Sequence, residues 1–446
     1  MPGRLPPDRR RAQPAASRSS ILDAELLQTV RSRLTLQLEP GLADPFSDVA
    51  GRERLIREAL VRVLMESRPE AAVEDGDVDH LFDELAGLGP LQPLMDDQLT
   101  TDILVNRWDE VFIERSGRLQ RTGARFRDQA HLEQMIAKIV ALVGREISVD
   151  KPLVDARMVD GSRANAVCAP VGGPTLCIRK FNRLRLTLLP EHSGGGLDWV
   201  SLRGMDETMA RYLSIAALAR STVLVAGATG SGKSTLLRSI VDCFPDDERV
   251  ITIEDTAELE LTNPHWVRLE CVHEHRLEGR DSSARRLDVA DLVQNALRMR
   301  PDRLIIGEIR NSREAYHTLE ALSTGHEGSA TTIHAGTAAD ALGRLELLVG
   351  RSFGQLSPAE IRGYIARVFD VVVVVARLRG GRRCVLEICE LAGLDGDGGY
   401  DLRPVFCADT EDRGGDREPV FRAVAGYAPG PRLTRKLELE GIRWIS

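Results

Sequence analysis

Lysine is scarce in this chain: Lys138, Lys151, Lys180, Lys233 and Lys436 are the only lysines among 59 Lys and Arg residues, so arginine serves almost wherever a cation will do. Aromatic residues make up 4% of the sequence, too few for the stacking platforms of a single-strand nucleic-acid binder. The formal net charge of −8 argues the same way, against a protein whose main business is coating nucleic acid. The longest apolar run, Val371 to Ala376, is far too short to span a bilayer. The first twenty residues carry Arg4, Arg9, Arg10, Arg11 and Arg18 against Asp8 and lack the apolar core of a secretory signal, which reads as a disordered basic arm. The expectation is a cytoplasmic protein whose membrane role is peripheral. Cysteines at 168, 177, 243, 271, 384, 389 and 407 form no C-x-x-C pair, so neither a zinc site nor a disulfide framework is expected.

One of the few lysines sits in the most informative segment. Gly227-Ala228-Thr229-Gly230-Ser231-Gly232-Lys233-Ser234 follows the apolar run Thr222 to Ala226 and precedes the helix-like Thr235 to Ile240. Glycines let successive backbone N–H groups curl around a phosphate, and a helix N-terminus adds positive potential. Lys233 would reach the β/γ-phosphates and Ser234 Oγ would ligate Mg²⁺, with Thr235 opening the helix beside them. A compact ammonium fits such a cradle where a planar guanidinium does not. ATP and Mg²⁺ are the expected ligands.

Composition and pattern divide the chain into a basic arm (1–20), a helical module (21–76), an α+β domain (77–188), a linker (189–205), an α/β domain (206–393) and an irregular tail (394–446). Helices are expected at 21–38, 52–67 and 131–143, each from apolar residues at helical spacing. Residues 191–205, with Gly194-Gly195-Gly196, read as flexible, and the tail as Gly-, Asp- and Arg-rich. From Asp206 strands and helices alternate, which favours a largely parallel sheet covered on both faces.

Ligands of such sheets bind at the carboxyl ends of strands. Val250 to Ile253 delivers Glu254 and Asp255 there, and Leu304 to Ile306 delivers Glu308 after Gly307. One acid near the metal, with Glu308 reaching Mg²⁺ through water, and one near the attacking water suffice for hydrolysis. Which acid does which job stays open. His326 and His334 bracket a further strand; each is either a sensor of the γ-phosphate or a hydrogen-bonded structural residue.

Gly227 to Ser234, Ile253 to Leu259, Arg298 to Arg310, and Thr324-Gly325-His326 through Ile333-His334-Ala335 resemble the Walker A, Asp box, Walker B and His box of type II/IV secretion ATPases, in particular the CpaF/TadA type that drives tight-adherence (Flp) pilus assembly. The upstream segments Gly87 to Leu91, Asp102 to Asn106, and Val154 through Arg163 are similar as well. The resemblance runs from about Asp77 to Gly393. It implies a RecA-like P-loop NTPase core after an α+β N-terminal domain and a small helical module, assembled as a homo-hexamer on an inner-membrane platform protein. It also implies arginines of the N-terminal domain that reach the phosphates, at positions matching Arg157, Arg163 and Arg179. No nucleic acid is expected as a partner. The segment from Leu184 to Met205 and the last fifty or so residues depart from the pattern, and the tetracysteine zinc insertion of many pilus-extension ATPases is missing.

Three other readings compete. A type IV secretion or conjugation ATPase shares the same core; a nucleic-acid-stimulated RecA-like ATPase is opposed by the acidic total and sparse aromatics; a nucleotide-gated scaffold without turnover is opposed by Glu254 and Glu308. An ABC-type ATPase is favoured less than any of these, because no Leu-Ser-Gly-Gly-Gln signature accompanies the loop.

Overall fold

The structure is a computed structural model and describes residues 49–67, 75–181, 185–194, 196–272, 287–352, 356–413, 416–425 and 427–444. The basic arm expected at 1–20 and the helix expected at 21–38 lie outside these residues. Two compact units divide the chain: the first holds the described residues up to Asp97 with Ile103–Phe112 and Arg121–Ile178, the second Gln98–Asp102, Ile113–Gln120 and the described residues from Arg179.

In the first unit, α1 (Val49–Ser67) packs Leu60, Val63 and Leu64 against Val78 and Leu81 of α2 (Asp75–Leu85). The short α3 (Gln92–Asp96) leads into β1 (Thr100–Arg107), β2 (Glu110–Arg115) and β3 (Arg118–Arg121), of which residues 100–102, 113–115 and 118–120 belong to the second unit. Helix α4 (Gln129–Ala141) starts where Asp128 accepts a hydrogen bond from the His131 N–H at 2.7 Å, satisfying an amide that a helix start leaves unpaired. Its apolar stripe of Leu132, Met135, Ile136, Ile139 and Val140 is buried. Strands β4 (Leu153–Arg157), β5 (Arg163–Val167) and β6 (Thr175–Arg179) complete a six-stranded sheet in the order β3-β2-β1-β6-β5-β4.

The second unit adds β7 (Leu186–Thr187), β8 (Leu197–Asp198), α5 (Glu207–Leu218), β9 (Val223–Ala226), α6 (Lys233–Val241), β10 (Val250–Glu254), β11 (Trp266–Glu270), α7 (Val289–Ala296), β12 (Arg303–Ile309), α8 (Ser312–Ser323), β13 (Ala330–Ile333), α9 (Ala338–Ser352), α10 (Pro358–Val368), β14 (Val371–Arg377), β15 (Arg383–Leu394), β16 (Tyr400–Arg413), β17 (Asp416–Ala423) and α11 (Pro431–Leu439). Its nine-stranded sheet has the order β11-β10-β12-β13-β9-β14-β15-β16-β17. Strands from β11 to β14 in that order pair in parallel, and β15 to β17 continue antiparallel.

Alternate residues of the parallel strands feed two separate cores. Val223, Val225, Ile305, Val371, Val373 and Val375 pack with Leu236, Leu237 and Ile240 of α6 on one face. Leu224, Ala226, Ile251, Ile253, Leu304, Ile306, Val372 and Val374 pack with α7 to α10 on the other. Burial on both faces explains why these strands read as unbroken apolar runs. It also puts β9, which feeds the phosphate loop, in the middle of the sheet between β13 and β14.

Two segments differ from expectation. Residues 191–205, expected as a flexible linker, are tied to the core: Trp199 is 2% exposed and its Nε1 donates to Ser239 Oγ at 2.9 Å, while Asp198 and Met205 are buried. The Gly-rich run masks a single large anchor. Trp199→Ala is therefore expected to destabilise the protein by about 3–5 kcal/mol, measured by denaturant unfolding.

The tail, expected to be irregular, forms β16, β17 and α11. Few of its apolar residues are buried, among them Val405, Phe406, Leu433 and Leu437. Charged and polar anchors supply much of the rest: Glu390 accepts from Tyr212 Oη at 3.1 Å and Gly430 N at 2.9 Å, and Asp370 pairs with Arg432 at 2.8 Å and Lys436 at 2.9 Å. In a sequence, such residues look like a solvated surface.

Candidate functional site

The loop between β9 and α6 has the shape a phosphate cradle requires. A Cβ on Gly227 would meet Ser231 Oγ and Val375 O at 2.4 Å, and Gly230 and Gly232 adopt φ of +71° and +101°, conformations that glycine alone takes without strain. Ser231 Oγ is buried and has no hydrogen-bond partner among the described residues. Ala228, Thr229 and Thr235 complete the turn and the first helical residues. An orphaned hydroxyl and glycine-only backbone around a buried ammonium fit a bound triphosphate.

Lys233 opens α6 with its side chain 9% exposed. Its Nζ lies 3.2 Å from Ala228 O, 3.3 Å from His334 Nδ1 and 3.6 Å from Glu308 Oε1. Burial lowers the Lys233 pKa from the ordinary lysine value, with Glu308 opposing the shift. His334 lies just past the end of β13, with Nε2 2.7 Å from Glu308 Oε1. Burial and the neighbouring Lys233 lower the histidine's pKa, favouring a neutral ring.

Glu308 owes its aim to a bulge. Ile306 of β12 stands opposite Thr331 of β13, and Ile309 opposite Ile333, so Gly307 and Glu308 together face one residue, Thr332. A bulge re-aims a side chain at a strand end, and Thr332 Oγ1 fastens this one by donating to Gly307 O at 2.8 Å. Beyond it, Glu314 accepts from Arg310 N at 2.8 Å and caps α8 in a reciprocal box with Asn311. Arg310 then bridges two strands, with Nε 2.7 Å from Glu308 Oε2 and Nη1 2.7 Å from Asp255 Oδ2. Burial would raise the Glu308 pKa, but Arg310, Lys233 and His334 outweigh it and hold the carboxyl below its usual range.

Glu254 has a different environment. It is 3% exposed, and its Oε2 accepts from Glu258 N at 2.7 Å and Leu259 N at 2.9 Å. These bonds fold the following loop back so that Glu258 Oε2 comes 3.4 Å from Ser234 Oγ. Burial raises the Glu254 carboxyl to about 7, against the two backbone hydrogen bonds.

A carboxyl raised in this way favours the native state below its unfolded value of about 4.5 and loses that contribution as pH rises through about 7. Glu254→Gln does not titrate and keeps an acceptor for both amides. Its stability relative to the native protein is expected to rise by about 3 kcal/mol between acid pH and pH 8, read from denaturation curves across that range.

The structure thus brings Lys233, Ser234, Glu254, Glu308 and His334 to one edge of the sheet. It does not bring His326 there: this residue precedes β13, at the amino edge of a strand whose carboxyl edge carries His334, and its Nδ1 lies 2.9 Å from Ala321 O. Arg157 and Arg163 belong to the first unit, directly opposite each other in the β4–β5 hairpin around Gly161, while Arg179 ends β6 and is exposed. Sequence reasoning put Asp255 at the strand end without assigning it a role and missed Glu258 and Arg310 as site residues, although both lie within the motif segments. The signal was the motif itself; the folding back of the loop from Glu254 was not.

A family model described as "Type II/IV secretion system protein" matches residues 84–389. The chain belongs to that family. It is an ATP hydrolase, a secretion or pilus ATPase that uses ATP. Its relatives include a putative conjugal transfer protein of Mycobacterium tuberculosis, MT3759, 34% identical over 321 residues covering 70% of this chain and 87% of that one. The type IV secretion system protein PtlH of Bordetella pertussis is 33% identical, covering 69% and 95%. A solved structure, the VirB11 ATPase from the Brucella suis type IV secretion system in complex with sulphate, is 31% identical over 67% of this chain and 94% of that one, with a TM-score of 0.35. Within this secretion ATPase, the matched residues contain the phosphate loop, both strand-end acids and His334, whereas β16, β17 and α11 lie outside them. No helix among the described residues is long and apolar enough to cross a membrane.

Proposed function

We propose that this ATPase is a motor that turns Mg²⁺-dependent ATP hydrolysis into movement of a pilus or secretion machine. The observation that carries the reading is the meeting of Lys233, Glu308, His334 and Arg310 beside the phosphate loop. Bound Mg²⁺ would neutralise charge on the phosphate oxygens. Ser234 would hold the ion, with Glu258, and within reach Glu308, contacting it through water. Lys233 leaves its protein partners to grip the substrate's phosphates. Glu308, kept ionised by its cationic neighbours, orients the attacking water and takes its proton. Glu254 positions the loop that carries Glu258. His334, between Lys233 and Glu308, reports the loss of the γ-phosphate.

Arg163 and Arg179, with Arg157, are proposed as the N-terminal arginines that stabilise charge during transfer, a role worth about 10³–10⁵ in rate where well placed. A homo-hexamer acting on an inner-membrane platform protein follows from the motif resemblance, with the chain at the cytoplasmic face. The motifs support assembly of a Flp-type pilus; the names of the relatives support the second reading, type IV secretion or conjugal transfer. Deletion of the gene separates them: loss of surface pili with conjugation intact supports the first, loss of DNA or protein transfer with pili intact the second. Strong stimulation of hydrolysis by single-stranded DNA would count against both.

A further inference from the structure

Arg377 and Arg383 stand opposite each other on β14 and β15. Since β14 runs parallel to β9 with Val374 beside Ala226, both arginines emerge level with the phosphate loop. Arg383 Nε donates to Gly230 O at 3.0 Å, and its Cδ would lie 3.2 Å from a Cβ placed on Gly232. One carboxylate holds the pair: Glu114 Oε1 accepts from Arg383 Nη2, and Oε2 from Arg377 Nη1, each at 3.1 Å. Arg377 also donates to Gly117 O. All of these residues belong to the second unit.

A trans peptide is planar, so its carbonyl and its amide point in opposite directions. Fixing Gly230 C=O therefore fixes the N–H of Ser231, which is turned onto Ala228 O at 3.2 Å. The 230–231 peptide is gripped at both ends, by a guanidinium outside the loop and a carbonyl within it. A loop that must present its amides to phosphate gains affinity from such preorganisation. Arg383, 28% exposed, and Glu114, 15% exposed, are far enough inside for the contact to be more than a solvated surface pair.

We propose that Arg383 is a positioning residue for the phosphate loop, braced by Glu114 together with Arg377, and that it sets nucleotide affinity rather than the rate of bond breaking. The inference rests on reading Gly227 to Ser234 as the ATP loop.

The test measures binding of a fluorescent ATP analogue and of its ADP counterpart to the full chain, with steady-state hydrolysis alongside. Arg383→Ala is expected to weaken both nucleotides about tenfold, as loss of a charge-assisted hydrogen bond would, raising KM while kcat at saturation stays within about threefold. Arg383→Lys, whose ammonium can still donate to Gly230 O, is expected to recover most of the affinity. Glu114→Gln should weaken binding about threefold, since neutral partners make weaker bonds, and decides the matter if Arg383→Ala does not fold. Unchanged affinity in Arg383→Ala and Glu114→Gln, a fall in kcat with affinity intact, or no recovery in Arg383→Lys would overturn the inference. Failure of the native protein to bind ATP would instead overturn the proposed function.

Discussion

Glu308→Gln is expected to lower kcat for ATP hydrolysis about 10²–10⁴-fold while leaving ATP affinity within about threefold. The reason lies in the geometry of its carboxylate. One oxygen lies 2.7 Å from Arg310 Nε and the other 2.7 Å from His334 Nε2 and 3.6 Å from Lys233 Nζ. Arg310 and Lys233 keep the group ionised at neutral pH, and the bulge at Gly307-Glu308 aims it at the edge where the phosphate loop lies. A glutamine has the same size and can occupy the same bulge, so binding should survive. It cannot take a proton from water, so turnover should not. Single-turnover measurements with bound ATP separate the two effects.

Lys233→Ala should cost about 10²–10³ in kcat/KM or more, the scale for removing a donor aimed at developing charge, with much of the loss in binding. Its side chain is 9% exposed, and the ammonium has Ala228 O, His334 Nδ1 and Glu308 Oε1 around it. That volume suits a point charge on a flexible stem. Lys233→Arg is expected to fail nearly as badly, because a planar fork cannot enter between the loop and Glu308 without displacing one of them. In a chain that uses arginine at most cationic positions, this is a pointed exception. Isothermal titration with ATP, together with rates, checks both variants.

The legible and illegible parts of the site divide along physical lines. Local chemistry was readable: Gly227 to Ser234 is a continuous segment whose glycines, lysine and serine each have a reason to be there, and strand-end acids follow from apolar runs. The strand that ends at Ala226, the helix that opens at Lys233 and the acids at 254 and 308 appear where those runs put them.

What depends on register was not readable. The bulge that turns Glu308 arises from how β12 pairs with β13, and no pattern within β12 announces it. Glu258 reaches Ser234 only because Glu254 holds the backbone of residues 258 and 259. His326 and His334 looked equivalent in a motif, yet a strand crosses the sheet from one edge to the other, so only His334 meets Lys233.

Long-range anchoring was also hidden. Trp199 amid glycines and the Glu390 and Asp370 partners of the C-terminal segment are single residues rather than stripes, and their contacts lie far away in sequence. The same holds for Arg383 and Glu114, separated by 269 positions.

The most direct measurement is phosphate release over time by the purified full chain with excess ATP and Mg²⁺, repeated with the metal chelated and with Lys233→Ala. A hydrolytic engine releases many phosphates per chain, stops on chelation and is abolished in the variant. Release limited to one phosphate per chain, or release that continues unchanged in Lys233→Ala, would contradict it.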